Sequence, residues 1–216
     1  MVNTTINCNY RGTQNVTEAF KPLIKDNGRI IMVSSRGGCL DRVLDLKNDK
    51  FKNDANKLSK ELLDENLSQE TLDKIVKQFI AAVEKDKSLS NAPFKQSAYG
   101  MSKAAMSGYS RILAKELVSR KIFVAAYCPG YCVCTIIFIT ILYISLRMGF
   151  SIIIQSTYMS SGGGDRTASN GARGVELLCL ENLSLDKSGK FWGVNFADAK
   201  NENNTATLTN YNWIKN

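Results

Sequence analysis

A tyrosine and a lysine four residues apart form the first candidate for chemistry in this sequence. Tyr99 and Lys103 begin a segment, 97–119, whose apolar spacing predicts a helix. The i, i+4 spacing places both side chains on one helix face, one turn apart. A free phenol has a pKa near ~10, and a neighbouring ammonium favours its ionised form. We therefore expect a phenol poised as a general acid closer to neutral pH, although the same spacing also fits an ordinary surface pair.

The composition excludes several other kinds of chemistry. The chain has 216 residues and no histidine, which excludes Ser-His-Asp, Cys-His and histidine-ligated metal sites. Six cysteines are too few for a disulfide scaffold, and no second closely spaced pair completes a zinc site. We expect no metal. The 44% hydrophobic and 22% charged residues are typical of a single globular domain.

The net charge of +8 is concentrated in two blocks. Residues 1–40 carry a net charge of +3 and residues 91–121 carry +5. A phosphate-bearing small ligand, a nucleic acid or a scattered solvated surface would each account for this excess. Aromatic residues are not interleaved with the basic ones, so we expect no nucleic-acid partner.

The order of predicted elements indicates an α/β fold with a parallel sheet. The elements are a helix at 13–26, a strand at 29–33, a helical insertion at 41–95, a helix at 97–119, a strand at 122–128, a helix at 171–182 and a strand at 190–194. In such sheets, chemistry lies at the carboxyl ends of the strands. Two segments fall there, namely Ser34-Ser35 and Pro129-Gly130.

Taken in order, these motifs resemble the short-chain dehydrogenase/reductase family. The matching segments are Asn-Tyr-Arg-Gly-Thr from Asn9, Gly-Arg-Ile-Ile-Met-Val-Ser-Ser ending at Ser35, Tyr-Gly-Met-Ser-Lys from Tyr99 to Lys103, and Pro129-Gly130. Each segment alone also fits a structural role: a serine turn, a helix-surface asparagine or a plain Pro-Gly turn. Their joint occurrence in family order favours the family, and with it an incomplete Rossmann-like sheet.

The resemblance implies a role for each matching residue. Ser35, with Ser34 as the alternative, would bind the substrate oxygen, and Tyr99 would protonate it. Lys103 would bind the nicotinamide ribose and lower the pKa of Tyr99. Asn9 would hold a water molecule that relays protons to Lys103. The loop containing Pro129, Gly130 and Cys132 would contact the cofactor.

Within the family, the closer match is to the carbonyl reductase branch. Ser35 and Tyr99 are 64 positions apart, because the insertion at 41–95 separates them. Carbonyl reductases carry a helical insert here that covers the surface other members use to oligomerise. The resemblance therefore implies a monomer that reduces ketones, aldehydes or quinones with NADPH. It covers residues 1–132 and about 156–196.

The cofactor half of the family pattern is missing from the sequence. No Gly-x-Gly-x-x-Gly turn occurs, although the family binds the pyrophosphate at such a turn. We therefore expect an N-terminally truncated domain at 1–196 with a bare sheet edge, followed by a polar tail at 197–216. Residues 1–10 have no features of a signal peptide, so we expect a cytoplasmic protein.

An apolar stretch at 133–155 does not fit the family pattern. Removing it joins Cys132 to Ser156-Thr157-Tyr158-Met159, which restores the expected loop. We interpret 133–155 as a retained intron, which sequencing of the transcript would test. Two alternatives remain: a membrane-spanning helix at 133–154, which is long enough to cross a bilayer, or a buried or interfacial element.

Three functions are therefore compatible with the sequence. The first is an NADPH-dependent carbonyl reductase acting on a small carbonyl substrate. The second is a non-catalytic remnant of such an enzyme. The third is a membrane-attached protein that uses 133–154 as its anchor.

Overall fold

The computed structural model describes residues 2–95, 97–131, 139–146, 149–156, 168–196 and 206–211. These residues form a six-stranded sheet in the order β3-β4-β1-β2-β5-β6. The strands are β1 Arg29–Val33, β2 Phe123–Cys128, β3 Ile139–Leu146, β4 Gly149–Ser156, β5 Phe191–Phe196 and β6 Ala206–Asn210. The four central strands, β4, β1, β2 and β5, run parallel, and β3 and β6 pair antiparallel at the edges. The predicted α/β parallel sheet is confirmed.

Seven α-helices accompany the sheet in the described part of the chain. They are α1 Val2–Ile6, α2 Gly12–Phe20, α3 Leu40–Val43, α4 Lys52–Leu63, α5 Gln69–Lys85, α6 Ala98–Glu116 and α7 Ala168–Leu180. A π-helical turn, Asn7–Arg11, joins α1 to α2. Serine side chains begin the two longest helices: Ser68 Oγ accepts from the Thr71 amide, and Ser97 Oγ accepts from the Gly100 amide. Both serines satisfy amides that the first helical turn leaves without a partner.

Helix α6 lies at the centre of the larger hydrophobic core. Ile30 and Val124 of the sheet pack on this side, together with apolar residues of α5 and α6. The alternate residues Ile31 and Phe123 face the opposite core, where α7 packs. Because both sheet faces are covered, β1 and β2 are apolar at nearly every position. Helix α6 is also covered on most sides, so it has buried residues around most of its circumference.

The insertion at 41–95 forms α3, α4 and α5 and packs against the outer side of α6. The Arg111 guanidinium on α6 donates hydrogen bonds to the carbonyl oxygens of Leu63 and Asp64, each at 2.9 Å, and to that of Leu62. These carbonyls lie at the end of α4, where a helix leaves its acceptors without partners. Gly108 on α6 leaves room for Leu72 of α5, because a Cβ there would lie 3.1 Å from Leu72 Cδ1.

In its described residues, 139–146 and 149–155, the apolar stretch at 133–155 forms strands. Strand β4 pairs in parallel with β1, from Arg29 opposite Ser151 to Met32 opposite Ile154. The expected bare edge beside β1 is therefore wrong, since β4 occupies it. Isoleucine-rich runs favour the pleated strand conformation, which explains the preference for strands. Among the described residues, no helix has both the length and the apolar character needed to cross a membrane.

The predicted polar tail at 197–216 includes a strand. Residues Ala206–Asn210 form β6, which pairs antiparallel with β5. Ala206 and Leu208 pack against the core on the α7 side of the sheet. Their i, i+2 spacing places both on one face of the strand, and this alternation is too short to stand out in an asparagine-rich sequence.

Candidate active site

The parallel pairing of β1 and β2 brings the two predicted strand-end motifs together. The Ser34 amide donates a hydrogen bond to the Tyr127 carbonyl oxygen at 2.7 Å, just beyond the end of β1. The Arg36 amide lies 3.3 Å from Cys128 Sγ and donates to it. Ser34 and Arg36 are thus both anchored to the end of β2, and Ser35 lies between them. Pro129 follows directly after this end of β2.

The two neighbouring serines have different surroundings. Ser34 is buried, and its hydroxyl lies 2.9 Å from the Lys103 carbonyl oxygen and 2.8 Å from Ser107 Oγ. Ser35 is half-buried, and its Oγ accepts from the Gly37 amide at 3.0 Å. A hydrogen bond also joins the hydroxyls of Ser35 and Tyr99. Only the Ser35 hydroxyl therefore lies next to the phenol.

Tyr99 is the second residue of α6 and remains 41% exposed. Partial burial raises the pKa of its phenol above the ordinary value, and the hydrogen bond from Ser35 opposes this rise. The direction is opposite to the one expected from the Tyr-x-x-x-Lys spacing. Loss of solvation by the phenolate outweighs the favourable hydrogen bond. In this structure the phenol is protonated at neutral pH.

Lys103 lies one turn further along α6 and is 1% exposed. Its Nζ donates to the Val33 carbonyl oxygen at 2.9 Å and lies 5.7 Å from the centre of the Tyr99 ring. Met106 Sδ lies 3.6 Å from the same Nζ. Burial lowers the pKa of Lys103 to about 8, so the ammonium form still predominates at neutral pH.

Asn9 lies in the π-helical turn, where the i→i+4 ladder is interrupted. The Gly12 amide donates to the Asn7 carbonyl oxygen, and Thr13 Oγ1 donates to the Asn9 carbonyl oxygen at 2.6 Å. The buried Asn9 side chain points toward α6, where its Nδ2 donates to Ser102 Oγ at 3.0 Å. Single π turns inside helices are frequent at functional sites.

Ser102 is a link that sequence reasoning missed. Its hydroxyl accepts from Asn9 and donates to the Tyr99 carbonyl oxygen at 2.7 Å. It lies inside the Tyr-x-x-x-Lys motif, but a serine at that position has no distinctive pattern. Ser102 bridges Asn9 and Tyr99 only because the π-helical turn that holds Asn9 lies close to α6.

Two glycines allow the end of β1 to approach α6 closely. A Cβ on Gly38 would lie 2.5 Å from the Ala104 amide nitrogen, and one on Gly100 would lie 2.8 Å from the Gly37 carbonyl oxygen. Side chains at these positions would displace backbone atoms and separate Ser35 from Tyr99. The Ser-x-x-Gly spacing that ends at Gly38 is the sequence signal for this contact.

The third predicted segment follows β2 directly. Pro129 and Gly130 are half-buried, and Gly130 has a φ of 87°, a conformation that favours glycine. The adjacent Tyr131 is 58% exposed. Cys132, the remaining predicted cofactor contact, lies outside the described residues.

The residues present fit one half of a nicotinamide cofactor. Tyr99 offers a hydroxyl near the carboxyl ends of β1 and β2, and the buried Lys103 ammonium lies beside the Tyr99 ring. These groups suit the hydroxyls of a ribose and the amide of a nicotinamide. The pyrophosphate half has no counterpart of the Gly-x-Gly-x-x-Gly type in the sequence.

Comparisons with known proteins find similarity to short-chain dehydrogenases and reductases. Residues 87–140 match the sequence model of the family described as short chain dehydrogenase. A (+)-neomenthol dehydrogenase of Arabidopsis thaliana is 38% identical over 128 residues, which are 58% of this chain and 40% of that protein. Carbonyl reductase [NADPH] 1 of Mus musculus is 30% identical over 59% of this chain and 44% of that protein.

A solved structure extends the likeness to the fold. The structure of salutaridine reductase from Papaver somniferum superimposes with a TM-score of 0.62 at 28% identity, covering 86% of this chain and 52% of that one. The parallel sheet and its flanking helices define a Rossmann-like α/β fold. The chain is similar to members of the short-chain dehydrogenase/reductase family, and carbonyl reductases are among its relatives. It spans less than half the length of the curated relatives named above.

Proposed function

We propose that this chain carries the catalytic residues of an NADPH-dependent reductase that transfers hydride to the carbonyl carbon of a ketone, aldehyde or quinone. The observation that carries the proposal is the convergence of three side chains. Ser35 and Tyr99 share a hydrogen bond, and Lys103 Nζ lies 5.7 Å from the Tyr99 ring centre. The three come from two elements, the end of β1 and the first turns of α6.

In this proposal Tyr99 is the proton donor. Its raised pKa keeps the phenol protonated at neutral pH, so the proton is available to the oxygen of the reduced carbonyl. The Ser35 hydroxyl donates a hydrogen bond to the same oxygen and stabilises the negative charge that develops there. NADPH, when bound, supplies the hydride. Tyr99 and Ser35 must therefore both face the substrate.

Lys103 and Asn9 support the proton transfer. The Lys103 ammonium lies beside the Tyr99 ring and favours the phenolate that forms when the proton leaves. It would also bind the nicotinamide ribose, and Pro129 and Gly130 would border the nicotinamide. Asn9, near α6 in its π-helical turn, would hold the water molecule that returns a proton to Lys103.

Two further observations support the finer assignments. The printed name of the mouse relative includes NADPH, and the block around Lys103 is basic, which suits an anionic cofactor. The helices α4 and α5 cover the outer side of α6, which supports a monomer. The substrate is a small carbonyl compound.

A second candidate function is a non-catalytic remnant of such a reductase. The observation that favours it is that the 216 residues contain no Gly-x-Gly-x-x-Gly turn. The remnant would keep Ser35, Tyr99 and Lys103 but would not bind the dinucleotide.

Titration of the purified chain with NADPH, followed by nucleotide fluorescence, separates the two functions. A reductase gives saturable binding and oxidises NADPH in the presence of a quinone or an aromatic ketone. The matched variant Tyr99→Phe keeps the ring and removes the hydroxyl. It is expected to bind NADPH and to lose turnover by at least about 100-fold. A folded chain that binds no NADPH supports the remnant, and unchanged turnover in Tyr99→Phe overturns the proposed mechanism.

A further inference from the structure

A polar cluster joins the helical insertion to the turn that carries Asn9. Tyr10 and Arg11 lie in the π-helical turn, and Gln69 and Asp73 lie on α5 of the insertion. We call these four residues the Asp73 cluster. They are separated in sequence by about sixty residues, and the packing of α5 beside α1 and α6 brings them together.

Asp73 is the common acceptor in this cluster. Its Oδ1 accepts from the Tyr10 hydroxyl at 2.8 Å, from Arg11 Nη1 at 2.8 Å and from Gln69 Nε2 at 2.8 Å. Gln69 Nε2 also donates to the Tyr10 hydroxyl oxygen at 2.7 Å. The carboxylate therefore holds two successive residues of the turn at once.

Burial makes these hydrogen bonds strong constraints. Tyr10 is 0% exposed, whereas the side chains of Arg11 and Asp73 are 34% and 24% exposed. Burial also raises the pKa of Tyr10, so its hydroxyl stays protonated and donates to Asp73. A buried hydroxyl that loses its acceptor is strongly unfavourable, because neither protein nor water replaces the lost hydrogen bond. The turn therefore has a strong preference for the position that Asp73 defines.

Hydrogen bonds continue from the turn to Tyr99. Asn9 directly precedes Tyr10, and its Nδ2 donates to Ser102 Oγ at 3.0 Å. Ser102 Oγ donates in turn to the Tyr99 carbonyl oxygen at 2.7 Å. A shift of the turn would therefore change the position of Asn9 and reach the first turn of α6.

We propose that Asp73, a residue of the insertion, is a positioning residue that sets the place of Asn9 beside α6. The π-helical turn needs such an outside contact, because its hydrogen-bond geometry is irregular and short π turns are rare. The insertion thus acts on the site as well as covering α6. The expected effect of Asp73 on carbonyl reduction rests on the proposed function, whereas its expected effect on the position of Asn9 does not.

The structural arm uses the full chain without cofactor and measures backbone amide NMR shifts. Asp73→Ala is expected to shift the amide signals of Asn9, Ser102 and Tyr99. Tyr10→Phe removes a single hydroxyl and should shift the same signals less. The matched control is Arg111→Gln, which removes hydrogen bonds between α6 and the insertion away from Asp73 and should shift signals near residues 62–64 and 111. Unmoved signals at Asn9 and Ser102 in folded Asp73→Ala, or equal shifts in the control, overturn the proposal.

The catalytic arm compares the same variants in carbonyl reduction. Asp73→Ala is expected to lower kcat by about 10-fold with little change in KM, because a displaced Asn9 impairs proton supply and not substrate binding. Asp73→Asn keeps an acceptor for Tyr10 and should recover part of the loss, and Arg111→Gln should keep the original kcat. Equal kcat in Asp73→Ala and Arg111→Gln contradicts the positioning role. If the unmodified chain has no activity, the proposed function fails while the NMR shifts still decide the role of Asp73.

Discussion

The ammonium of Lys103 donates a hydrogen bond to the carbonyl oxygen of Val33 at 2.9 Å. Val33 is the last residue of β1, so the buried lysine ties α6 to the strand end from which Ser35 extends. The same side chain lies beside the Tyr99 ring. This hydrogen bond and that of Ser34 to the Lys103 carbonyl oxygen hold together the two elements of the candidate site.

The buried ammonium of Lys103 makes stability depend on pH. Its pKa is lowered by burial from 10.5 to about 8, so the unfolded chain binds more protons than the folded chain between these values. The contribution of Lys103 to the stability of the wild-type chain therefore rises with pH across this window. Lys103→Met removes the titrating group. The difference in unfolding free energy, variant minus wild type, should fall by about 3 kcal/mol between pH 7 and pH 10.5.

Chemical denaturation of both proteins at several pH values measures this difference. Subtracting the wild-type curve cancels the titration of the other groups, such as the buried tyrosines, which both proteins share. A difference that stays constant from pH 7 to pH 10.5 would mean that Lys103 is not a buried cation.

The two serines after β1 should respond differently to substitution by alanine. Ser34→Ala removes a buried hydroxyl bonded to Ser107 and to the Lys103 carbonyl oxygen, so we expect a loss of about 1–3 kcal/mol of stability. Under the proposed function, turnover of this variant stays close to wild type. Ser35→Ala removes a cap hydrogen bond worth about 1 kcal/mol. Its turnover should fall by about 100-fold to 1,000-fold.

Thermal unfolding and steady-state kinetics of the two variants test this assignment. The two measurements should rank the variants in opposite orders, with Ser34→Ala the less stable and Ser35→Ala the less active. A greater loss of turnover in Ser34→Ala than in Ser35→Ala would mean that Ser34, and not Ser35, contacts the substrate.

Gly37 and Gly38, in the turn that follows β1, allow a matched test of how closely this turn packs against α6. A Cβ on Gly38 would lie 2.5 Å from the Ala104 nitrogen, whereas one on Gly37 would lie 3.4 Å from Ser35 Oγ, an ordinary contact. Gly38→Ala should therefore destabilise the fold by about 1–3 kcal/mol. Gly37→Ala should remain within about 0.5 kcal/mol of wild type. Equal unfolding midpoints for the two variants would contradict the close approach of β1 and α6.

The pairing of β4 with β1 gives an expected outcome for the stretch that interrupts the family pattern. Deletion of 133–155 removes β3 and nearly all of β4, which leaves the β1 edge from Arg29 to Met32 without its partner. An unpaired edge promotes association with other chains. Light scattering should therefore show self-association of the deletion variant.

A second variant replaces 133–155 by a glycine-serine segment of equal length, which keeps the connection and removes the strand propensity. It should associate like the deletion variant. If both remain monomeric with the wild-type unfolding temperature, the edge pairing is contradicted and the hypothesis of a retained intron gains support.

Several elements of the fold could be predicted from local sequence patterns. The apolar runs at 29–33 and 122–128 correspond to β1 and β2. These predictions succeeded because a buried strand needs consecutive apolar residues. The apolar spacing at 97–119 predicted the helix α6. It was less informative about which face is buried, since α6 is buried on most sides.

The sequence by itself determined which groups could do chemistry and in what order they occur: an asparagine, a serine, and a tyrosine and lysine one helical turn apart. Tertiary structure alone decided their environments. Burial lowers the pKa of Lys103, while partial burial raises that of Tyr99, opposite to the direction expected from their spacing. The tertiary structure also placed Asp73 of the insertion beside the π-helical turn that holds Asn9, and β4 beside β1. The reason is physical, because spacing along one helix fixes which side chains are neighbours, whereas solvation and contacts across the sequence depend on what the rest of the chain packs around them.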